Sequence, residues 1–393
     1  MLCRTRHNDL FYSEVIGMSI YLDNAATTAV CPEAAAAALD AMTAHFGNPS
    51  STHRLGREAK KLLDASRAKV AKALGCTPEE LYFVSCGSEG DNWAIVRGAE
   101  YNARRGKHVI SSVVEHSAVL KSMEYLGAHG YEVTLLKPQP DGSISPESVL
   151  AALRPDTCLV SLMLVNNETG AVNDIAGIAK AVRAQNPNTL IHTDAVQAFL
   201  KVPFSAKTLG ADMITVSGHK IHAPKGIGAL YVRKGLNLPP YVMGGEQENN
   251  RRAGTESLPL IAAFGTAAEL ANKTFKEDTA RMAALRAHAI ERLTAENVQL
   301  RILGGGAPQI LSLSLPGWRS EVLMNCLEAK DIFVSKSSAC KKGGRSYVLE
   351  EMGLPAEVID GALRVSFSRF TTPEEVDAFC DALREARETL RHR

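Results

Sequence analysis

The sequence predicts an α/β protein with a mostly parallel sheet and a smaller α+β unit. Short, continuously apolar segments alternate with helical segments, which is typical of strands that helices cover on both faces. After Thr274 the composition shifts to a charged helix, which indicates a second unit. We therefore predict a disordered leader over 1–17, a small α+β domain formed by 18–31 and 275–393, and a large domain over 32–274.

The predicted elements follow in order along the chain. Met18 opens the first strand, and Pro32 begins an alanine-rich helix that ends near His45. An amphipathic helix with a period close to 3.6 residues follows from Arg54 to Leu74. Further strands are predicted at 81–84, 108–111, 131–136, 158–165 and 189–194, from 213 onward, and at 309–315, 332–334 and 363–367, with a final helix over 373–390.

Composition excludes several classes of protein. The chain has 393 residues, a formal net charge of +1, 45% hydrophobic and 22% charged residues, which describes an ordinary globular protein without a basic surface for nucleic acid. No apolar stretch reaches the length of a membrane span. The eight cysteines are dispersed without a C-x-x-C pair, so we predict reduced thiols, a cytoplasmic location and no metal site.

One apolar strand runs into a loop that presents Lys220. Ser217 and His219 precede the lysine and glycines follow it, so a rigid strand end holds the amine at a cleft. A desolvated lysine has a lowered pKa and can form a Schiff base with the aldehyde of pyridoxal phosphate (PLP), while hydroxyl and imidazole neighbours can bind the phosphate. Lys225 is an alternative for this role, and a surface lysine in a glycine-rich turn is the structural alternative.

A second predicted strand ends in an acid, Asp194, and Gln197 follows it. In PLP enzymes a carboxylate next to the pyridine nitrogen keeps that nitrogen protonated, so the ring can take up the electrons of a carbanion. A strand-end aspartate one connection before Lys220 is suited to that position. The alternative is that Asp194 caps a helix after the strand.

Further small or polar residues follow the ends of predicted strands. Ligands of parallel sheets bind at the carboxyl ends of the strands, so these side chains are candidates for one site. After strand 81–84, a small-residue turn leads into a helix whose backbone N–H groups can hold phosphate. The candidates are Gly87, Ser88, His116, Asn167, Asp194, Gln197, Ser217, His219 and Lys220.

Two loops outside the predicted sheet carry additional signals. The polar stretch 243–256 is too long for a simple turn and indicates a functional or subunit-bridging segment. A second loop is small and basic and contains Cys340, whose thiolate form Lys341 and Lys342 would favour. Because a lone loop cysteine is usually inert, the rest of the chain must decide its role.

The chain also resembles the cysteine desulfurases, PLP-dependent enzymes of the aminotransferase class V group within the fold-type I superfamily. The resemblance extends from about Tyr21 to Thr372 and implies a seven-stranded sheet in the large domain. It rests on the order and spacing of these motifs: Tyr21-Leu-Asp-Asn-Ala-Ala-Thr-Thr28, Phe46-Gly-Asn-Pro-Ser50, Ser88-Glu-Gly-Asp-Asn92, Glu115-His116, Asn166-Asn-Glu-Thr-Gly170, His192-Thr-Asp-Ala-Val-Gln197, Ser217-Gly-His-Lys220, Arg252-Ala-Gly-Thr255, Ser338-Ala-Cys340 and Arg364-Val-Ser-Phe-Ser-Arg-Phe370.

The resemblance implies roles for residues at a PLP site. Lys220 would bind the cofactor, Asp194 would pair with the pyridine nitrogen, and His116 would stack on the ring and act in catalysis. Gln197 and Asn167 would hydrogen-bond the ring hydroxyl. The implied phosphate contacts are Gly87, Ser88, Ser217 and His219, together with Thr255 from the other subunit of a homodimer.

For the substrate, the resemblance implies that Arg364 binds the carboxylate of L-cysteine through a bidentate pair, with Asn167 beside it. Cys340 would take the substrate's sulfur as a persulfide and leave L-alanine. The sulfur would then pass to an acceptor protein, either an iron–sulfur cluster scaffold or an enzyme that thiolates tRNA or cofactors. The stretch after Cys340 is more basic and slightly shorter than in the family, which leaves the acceptor open.

Two other functions stay open at this point. A selenocysteine lyase or another class V aminotransferase-like enzyme would share most motifs, and alanine formation from cysteine without a keto acid would distinguish it. A catalytically silent scaffold for sulfur-transfer proteins is the remaining alternative. The presence of both Lys220 and Cys340 argues against it.

Overall fold

A computed structural model of the chain describes residues 19–295, 300–336 and 344–389. The predicted leader 1–17, Met18 and the candidate Cys340 therefore lie outside the described residues. The strands are β1 Ile20–Tyr21, β2 Leu81–Val84, β3 His108–Ser112, β4 Glu132–Leu136, β5 Thr157–Ser161, β6 Leu190–Asp194, β7 Met213–Ser217, β8 Gly228–Val232, β9 Arg301–Ile302, β10 Ile310–Ser314, β11 Ile332–Phe333, β12 Ser335–Lys336 and β13 Ala362–Ser366.

The helices lie between these strands. In chain order the longer ones are Pro32–Thr43, Arg54–Leu74, Ser117–Ala128, Ile175–Gln185, Leu258–Lys273, Phe275–Ala295, Ser320–Glu328 and Pro373–Thr389. The shorter ones are Gly87–Asn92, which continues through a π-helical turn at Trp93–Arg97 into Gly98–Asn102, and Pro146–Ala152, Ala206–Leu209, Gln247–Asn250, Tyr347–Glu351 and Ala356–Asp360. None of the helices within the described ranges combines the length and the apolar composition that crossing a membrane requires.

The central sheet contains seven strands in the order β2-β8-β7-β6-β5-β3-β4. Strands β3 to β7 pair in parallel with their neighbours, and β8 runs antiparallel between β2 and β7. The predicted mostly parallel seven-stranded sheet is therefore confirmed. We did not predict β8 from the sequence, because its five residues follow a glycine-rich loop without an intervening helix.

Helices bury both faces of this sheet. All residues of β5, β6 and β7 are buried, as expected for strands that read as continuous apolar segments. On one face, Leu258–Lys273 packs against Pro32–Thr43 and Arg54–Leu74. Small residues allow this close approach, since a Cβ on Gly265 would lie only 2.9 Å from the Cα of Ser66.

A second sheet of four antiparallel strands, in the order β12-β13-β10-β9, has its own apolar core. Helices Phe275–Ala295 and Pro373–Thr389 pack on each other beside it. The N-terminal strand β1 pairs with β11, and Leu22 is buried in the same core. These contacts support our proposal that 18–31 and 275–393 form one domain and 32–274 the other.

The polar loop 243–256 is anchored by a buried ion pair. Both guanidinium Nη atoms of Arg67 lie 2.6 Å from the carboxylate oxygens of Glu248, and the backbone N–H of Phe83 donates to the same carboxylate at 2.9 Å. The Glu248 side chain is only 2% exposed. The helix Arg54–Leu74 and strand β2 therefore hold this loop in place through one residue.

Replacing Glu248 with Gln should lower the free energy of unfolding by about 3 to 5 kcal/mol, because Arg67 would keep a buried charge without its partner. Chemical denaturation followed by tryptophan fluorescence measures this change. The matched control is Asp64→Asn, which removes the exposed i,i+4 pair with Lys60 and should change stability by at most about 1 kcal/mol. Equal effects of the two substitutions would contradict the anchoring role of Glu248.

Candidate active site

The carboxyl ends of the central strands open into one cavity of about 280 Å³. The predicted site residues that line it are Gly87, Ser88, His116, Asn167, Asp194, Gln197, Ser217, His219, Lys220 and Arg364. Thr255 is exposed and lies beside a separate depression, and Cys340 is outside the described residues. The structure thus gathers the strand-end candidates and also brings in Arg364 from the second sheet.

Lys220 ends a short 3₁₀ turn that directly follows β7. Its Nζ donates hydrogen bonds to the backbone carbonyls of Ala25 at 2.7 Å and Ala26 at 2.6 Å, so the amine is held at the cavity wall. Lys225, the alternative lysine, is exposed and does not line the cavity. Of these two lysines, only Lys220 is placed to react with a ligand in the cavity.

Asp194 is the last residue of β6 and is 7% exposed. Its Oδ1 accepts a hydrogen bond from the backbone N–H of Val196 at 2.8 Å, so the carboxylate does help to cap the turn after the strand. Burial raises the pKa of Asp194, while the charges of His116 and Lys220 and the Val196 hydrogen bond lower it. A cationic ring nitrogen in the cavity would stabilise the anion further.

His116 is the N-cap residue of helix Ser117–Ala128. Its Nδ1 accepts a hydrogen bond from the backbone N–H of Ala118 at 3.2 Å, which fixes the ring at the cavity wall. The histidine is therefore both a helix cap and a residue of the cavity lining. A capped ring is held in one orientation, which is what stacking on a planar ligand requires.

Helix Gly87–Asn92 points its N-terminal end into the cavity. A Cβ at Gly87 would lie 2.9 Å from Cγ2 of Val196, so only glycine fits there without displacement. His219, which also lines the cavity, is held by Thr27, with 3.2 Å between Nδ1 and Oγ1. Burial, together with the charges of Lys220 and other nearby lysines, lowers the pKa of His219 to about 4, so the ring is neutral at neutral pH and can accept or donate one hydrogen bond.

Several buried polar atoms of these residues have no hydrogen-bond partner within the described parts of the chain: Asn167 Oδ1, Gln197 Oε1, Ser217 Oγ and Arg364 Nε. An unpaired buried polar group costs about 1–3 kcal/mol, so such a cluster at one cavity indicates a polar ligand. An aromatic ring with a hydroxyl group, a phosphate and a substrate carboxylate would pair these atoms. The residues present therefore fit PLP.

Arg364 enters the cavity from β13 and is 1% exposed. Its Nη2 donates to Asp23 Oδ1 at 2.8 Å, and its Nη1 donates to the backbone carbonyl of Asn167 at 2.9 Å. A guanidinium has five N–H donors, so the remaining ones can still bind a carboxylate. Sequence reasoning missed Asp23, although it lies in the quoted motif that begins at Tyr21.

The sequence also gave no role to two buried ionisable residues at the site. Asp91 is 1% exposed, and its carboxyl group lies within 4.8 Å of ligand-type atoms of His116 and Asp194. Burial, together with the charge of Asp194, raises the pKa of Asp91. Burial lowers the pKa of Lys201 to about 7. Asp91 belongs to the quoted motif Ser88–Asn92 and lies on the inner face of the helix. That position in the motif was the signal from which the sequence could have identified it.

Comparison with known proteins identifies the family. The model of the family described as "Aminotransferase class-V" matches residues 20–379. A cysteine desulfurase IscS of Methanosarcina thermophila is 40% identical over 380 residues, which cover 95% of this chain and 93% of the relative. The chain belongs to the cysteine desulfurases of the aminotransferase class-V family. It is a PLP-dependent enzyme, and the unpaired polar atoms of the cavity fit that cofactor.

Solved structures support the same family. A NifS-like protein is 35% identical with a TM-score of 0.89, covering 95% of this chain and 100% of that one. SspA, solved in complex with cysteine, is 29% identical with a TM-score of 0.78, covering 90% of this chain and 100% of that one. These similarities confirm the fold-type I architecture that the resemblance implied.

Lys220→Ala should abolish the visible absorbance of the lysine-bound cofactor while the fold survives, because this amine is the only one of the two candidate lysines at the cavity. Absorbance spectra and borohydride reduction followed by peptide mapping measure the link. Lys225→Ala is the matched control and should keep the wild-type spectrum. A reducible link in Lys220→Ala that is absent in Lys225→Ala would mean that we have assigned the wrong lysine.

Asp194→Asn should retain part of the bound PLP and lose orders of magnitude in turnover, since a neutral amide does not keep the pyridine nitrogen protonated. Steady-state rates at saturating cysteine, corrected for cofactor content, provide the measurement. Near-wild-type turnover would reduce Asp194 to the cap of the turn after β6.

Proposed function

We propose that this cysteine desulfurase converts L-cysteine to L-alanine in the cavity, with Lys220 as the cofactor lysine and Cys340 as the sulfur acceptor. The observation that carries the proposal is the convergence of Lys220, Asp194 and Arg364, which come from the turn after β7, from β6 and from β13. An amine, an acid and a guanidinium around one cavity correspond to the aldehyde, ring nitrogen and substrate carboxylate that this chemistry brings together.

The residues of the cavity would hold the cofactor from several sides. Asp194 would pair with the ring nitrogen, His116 would cover one face, and the amides Gln197 and Asn167 would offer oxygens to the ring hydroxyl. The phosphate contacts in the proposal are Gly87, Ser88, Ser217 and His219. Bound PLP supplies an aldehyde carbon for the amine link and a ring that takes up carbanion electrons.

The substrate carboxylate binds to Arg364, whose orientation Asp23 and the Asn167 carbonyl already fix. Lys220 then moves the α-proton of the substrate. The carbonyls of Ala25 and Ala26 hold the amine at the cavity wall, close to where the substrate binds.

Two described positions support a role for Cys340 near this cavity. On its N-terminal side, Ser335 of β12 pairs directly with Arg364 of β13. On its C-terminal side, the hydroxyl of Tyr347 donates a hydrogen bond to the carbonyl of Glu115, the neighbour of His116. The chain that contains Cys340 therefore leaves from, and returns to, residues that adjoin the cavity.

In the proposed transfer, the thiolate of Cys340 attacks the substrate sulfur. The S–S bond of the persulfide forms as the Cβ–S bond of cysteine breaks, and the electron pair that remains on carbon is later protonated, which yields alanine. Lys341, Lys342 and Arg345 are cationic neighbours in sequence that favour the thiolate. The solved cysteine complex of the related SspA supports cysteine as the substrate.

We further propose a homodimer in which Thr255 reaches the phosphate site of the partner subunit. Thr255 is exposed within one chain, and the same loop is tied to the phosphate-binding turn, because Arg252 Nε donates to Glu89 at 2.8 Å. The persulfide sulfur passes to an acceptor protein, either an iron–sulfur scaffold or a thiolating enzyme. The cysteines among the described residues are free thiols, which supports a location in the cytoplasm.

Cys340→Ala should bind PLP and respond spectrally to cysteine as the wild type does, because those steps use residues of the cavity, yet it should not turn over. Mass spectrometry after one pulse of cysteine should find an extra sulfur on the Cys340 peptide of the wild-type protein. Cys326→Ala is the control, since this thiol lies on helix Ser320–Glu328 and should have no effect. Full alanine production by Cys340→Ala would disprove the assignment.

A further inference from the structure

Two side chains just after the Cys340 loop hydrogen-bond residues that adjoin the cavity lining, and the proposed chemistry does not use these contacts. Ser346 is the N-cap of the short helix Tyr347–Glu351, and Tyr347 is its first residue. Both belong to the stretch of chain that follows Cys340. Ser346 is 3% exposed, and Tyr347 is partly buried. Each makes a hydrogen bond to a different loop of the large sheet.

The hydroxyl of Ser346 has two simultaneous contacts. It accepts the backbone N–H of Leu349 at 3.2 Å, which caps the helix, and it donates to Oε2 of Glu168 at 2.5 Å. Glu168 is 3% exposed, so this bond lies in a nearly water-free place. The contact with Leu349 is enough to cap the helix. The bond to Glu168 is therefore an additional interaction, which ties this end of the helix to another loop.

Glu168 connects this contact to the proposed substrate arginine. Its neighbour Asn167 offers the carbonyl that accepts from Arg364 Nη1 at 2.9 Å. The loop is rigid, because Asn166 Oδ1 accepts the backbone N–H groups of both Glu168 and Thr169 at 2.9 Å. This loop is therefore a firm attachment point for Ser346, and its own hydrogen bonds keep it in place beside Arg364 when Ser346 is changed.

The pKa of the Glu168 carboxyl depends on its neighbours because the side chain is buried. Burial raises this pKa to about 7, while the hydrogen bond from Ser346 and the charge of Arg364 act to lower it. The hydrogen bond from Ser346 is thus one of the interactions that stabilise the charged form of Glu168.

Tyr347 makes the second attachment. Its hydroxyl donates to the backbone carbonyl of Glu115, which precedes His116 at the cavity wall. The Glu115 side chain is itself fixed, since Oε2 accepts the backbone N–H of Met163 at 2.9 Å and Oε1 accepts the hydroxyl of Ser112 at 2.6 Å. The two attachments therefore end on two rigid loops, one beside Arg364 and one beside His116.

We propose that Ser346 and Tyr347 are positioning residues for the sulfur-transfer step, and that they fix the return end of the Cys340 loop to the Glu168 and Glu115 loops of the cavity. This inference rests on the proposed role of Cys340. A nucleophile must approach to about 3–3.5 Å of the atom that it attacks, and a misplacement of about 1 Å costs up to about a hundredfold in rate. An anchor a few residues from the thiol restricts where it can lie.

The test uses the PLP-loaded enzyme and separates two steps. Tyr347→Phe and Ser346→Ala should bind cysteine normally, seen as an unchanged cysteine concentration for half of the spectral change of the cofactor. Persulfide formation on Cys340 in a single turnover should slow by about tenfold to a hundredfold. Rapid-quench samples analysed by mass spectrometry give this rate.

Matched variants distinguish positioning from a loss of structure. Tyr125→Phe removes an exposed tyrosine hydroxyl on helix Ser117–Ala128 and should change neither readout. Glu168→Gln keeps an oxygen that can accept from Ser346 and should retain a rate close to that of the wild type, whereas Glu168→Ala should be as slow as Ser346→Ala. If Tyr347→Phe does not fold, the Ser346 and Glu168 variants still decide the question.

Three outcomes would overturn the inference. The first is a wild-type rate of persulfide formation in both Tyr347→Phe and Ser346→Ala, and the second is a weakening of cysteine binding in these variants as large as the loss of that rate. The third is a rate of persulfide formation in Glu168→Gln that is no higher than in Glu168→Ala. The Cys340→Ala variant separates this failure from a failure of the proposed function. If Cys340→Ala is inactive and the anchor variants are normal, only the positioning role is wrong. If Cys340→Ala makes alanine at the wild-type rate, the role of Cys340 itself is wrong.

Discussion

The segment Asp23–Thr28 is the constraint on which the site depends, because it is bonded to both sheets at once. Toward the second sheet, the Asn24 side chain donates to the carbonyl of Ser366 at 2.9 Å, and the Ala25 N–H donates to the Ser366 hydroxyl at 2.8 Å. Toward the central sheet, the Ala25 carbonyl accepts from Lys220. One short stretch of backbone therefore sets the position of the lysine relative to the strand that carries Arg364.

Close packing explains why the residues of that segment are small. Gln197 Nε2 also donates to the Ala25 carbonyl, at 2.8 Å, so amide and amine approach the same oxygen. Larger side chains at positions 25 and 26 would occupy space that belongs to the cavity, since both residues line it. The sequence of small residues, which could equally indicate a plain turn, is explained by this close packing around a ligand.

Basic and acidic groups are buried together around the site, and burial shifts their pKa values. Lys201, Lys220 and Arg364 are near one another, and burial with these mutual repulsions lowers the pKa of Lys201 to about 7. Asp91 and Asp194 are the matching acids, and burial raises the pKa of each. Burying such a set of ionisable groups around one site costs folding free energy, which is typical of catalytic sites, and a ligand that pairs with both charge types would stabilise the fold.

The sequence by itself determined the local chemistry and the class of fold. Continuous apolar strands followed by polar loops placed Asp194 and Lys220 at strand ends, and a parallel sheet brings such ends to one edge whatever the details of packing. Helix limits were also readable where caps are strong, as in Arg54–Leu74, which ends at the left-handed Gly75. The motif order identified the family because many separate spacings agreed.

Only the tertiary structure places Lys220, and not Lys225, at the cavity, because both lysines follow the same strand and differ in which one lines it. It also brings Asp23 to Arg364 and Glu168 to Ser346, residues that are distant in the chain. No local pattern encodes such pairs, because a side chain's partner across the sheet depends on the packing of two units. The sequence specifies which groups exist, and the fold decides which of them meet.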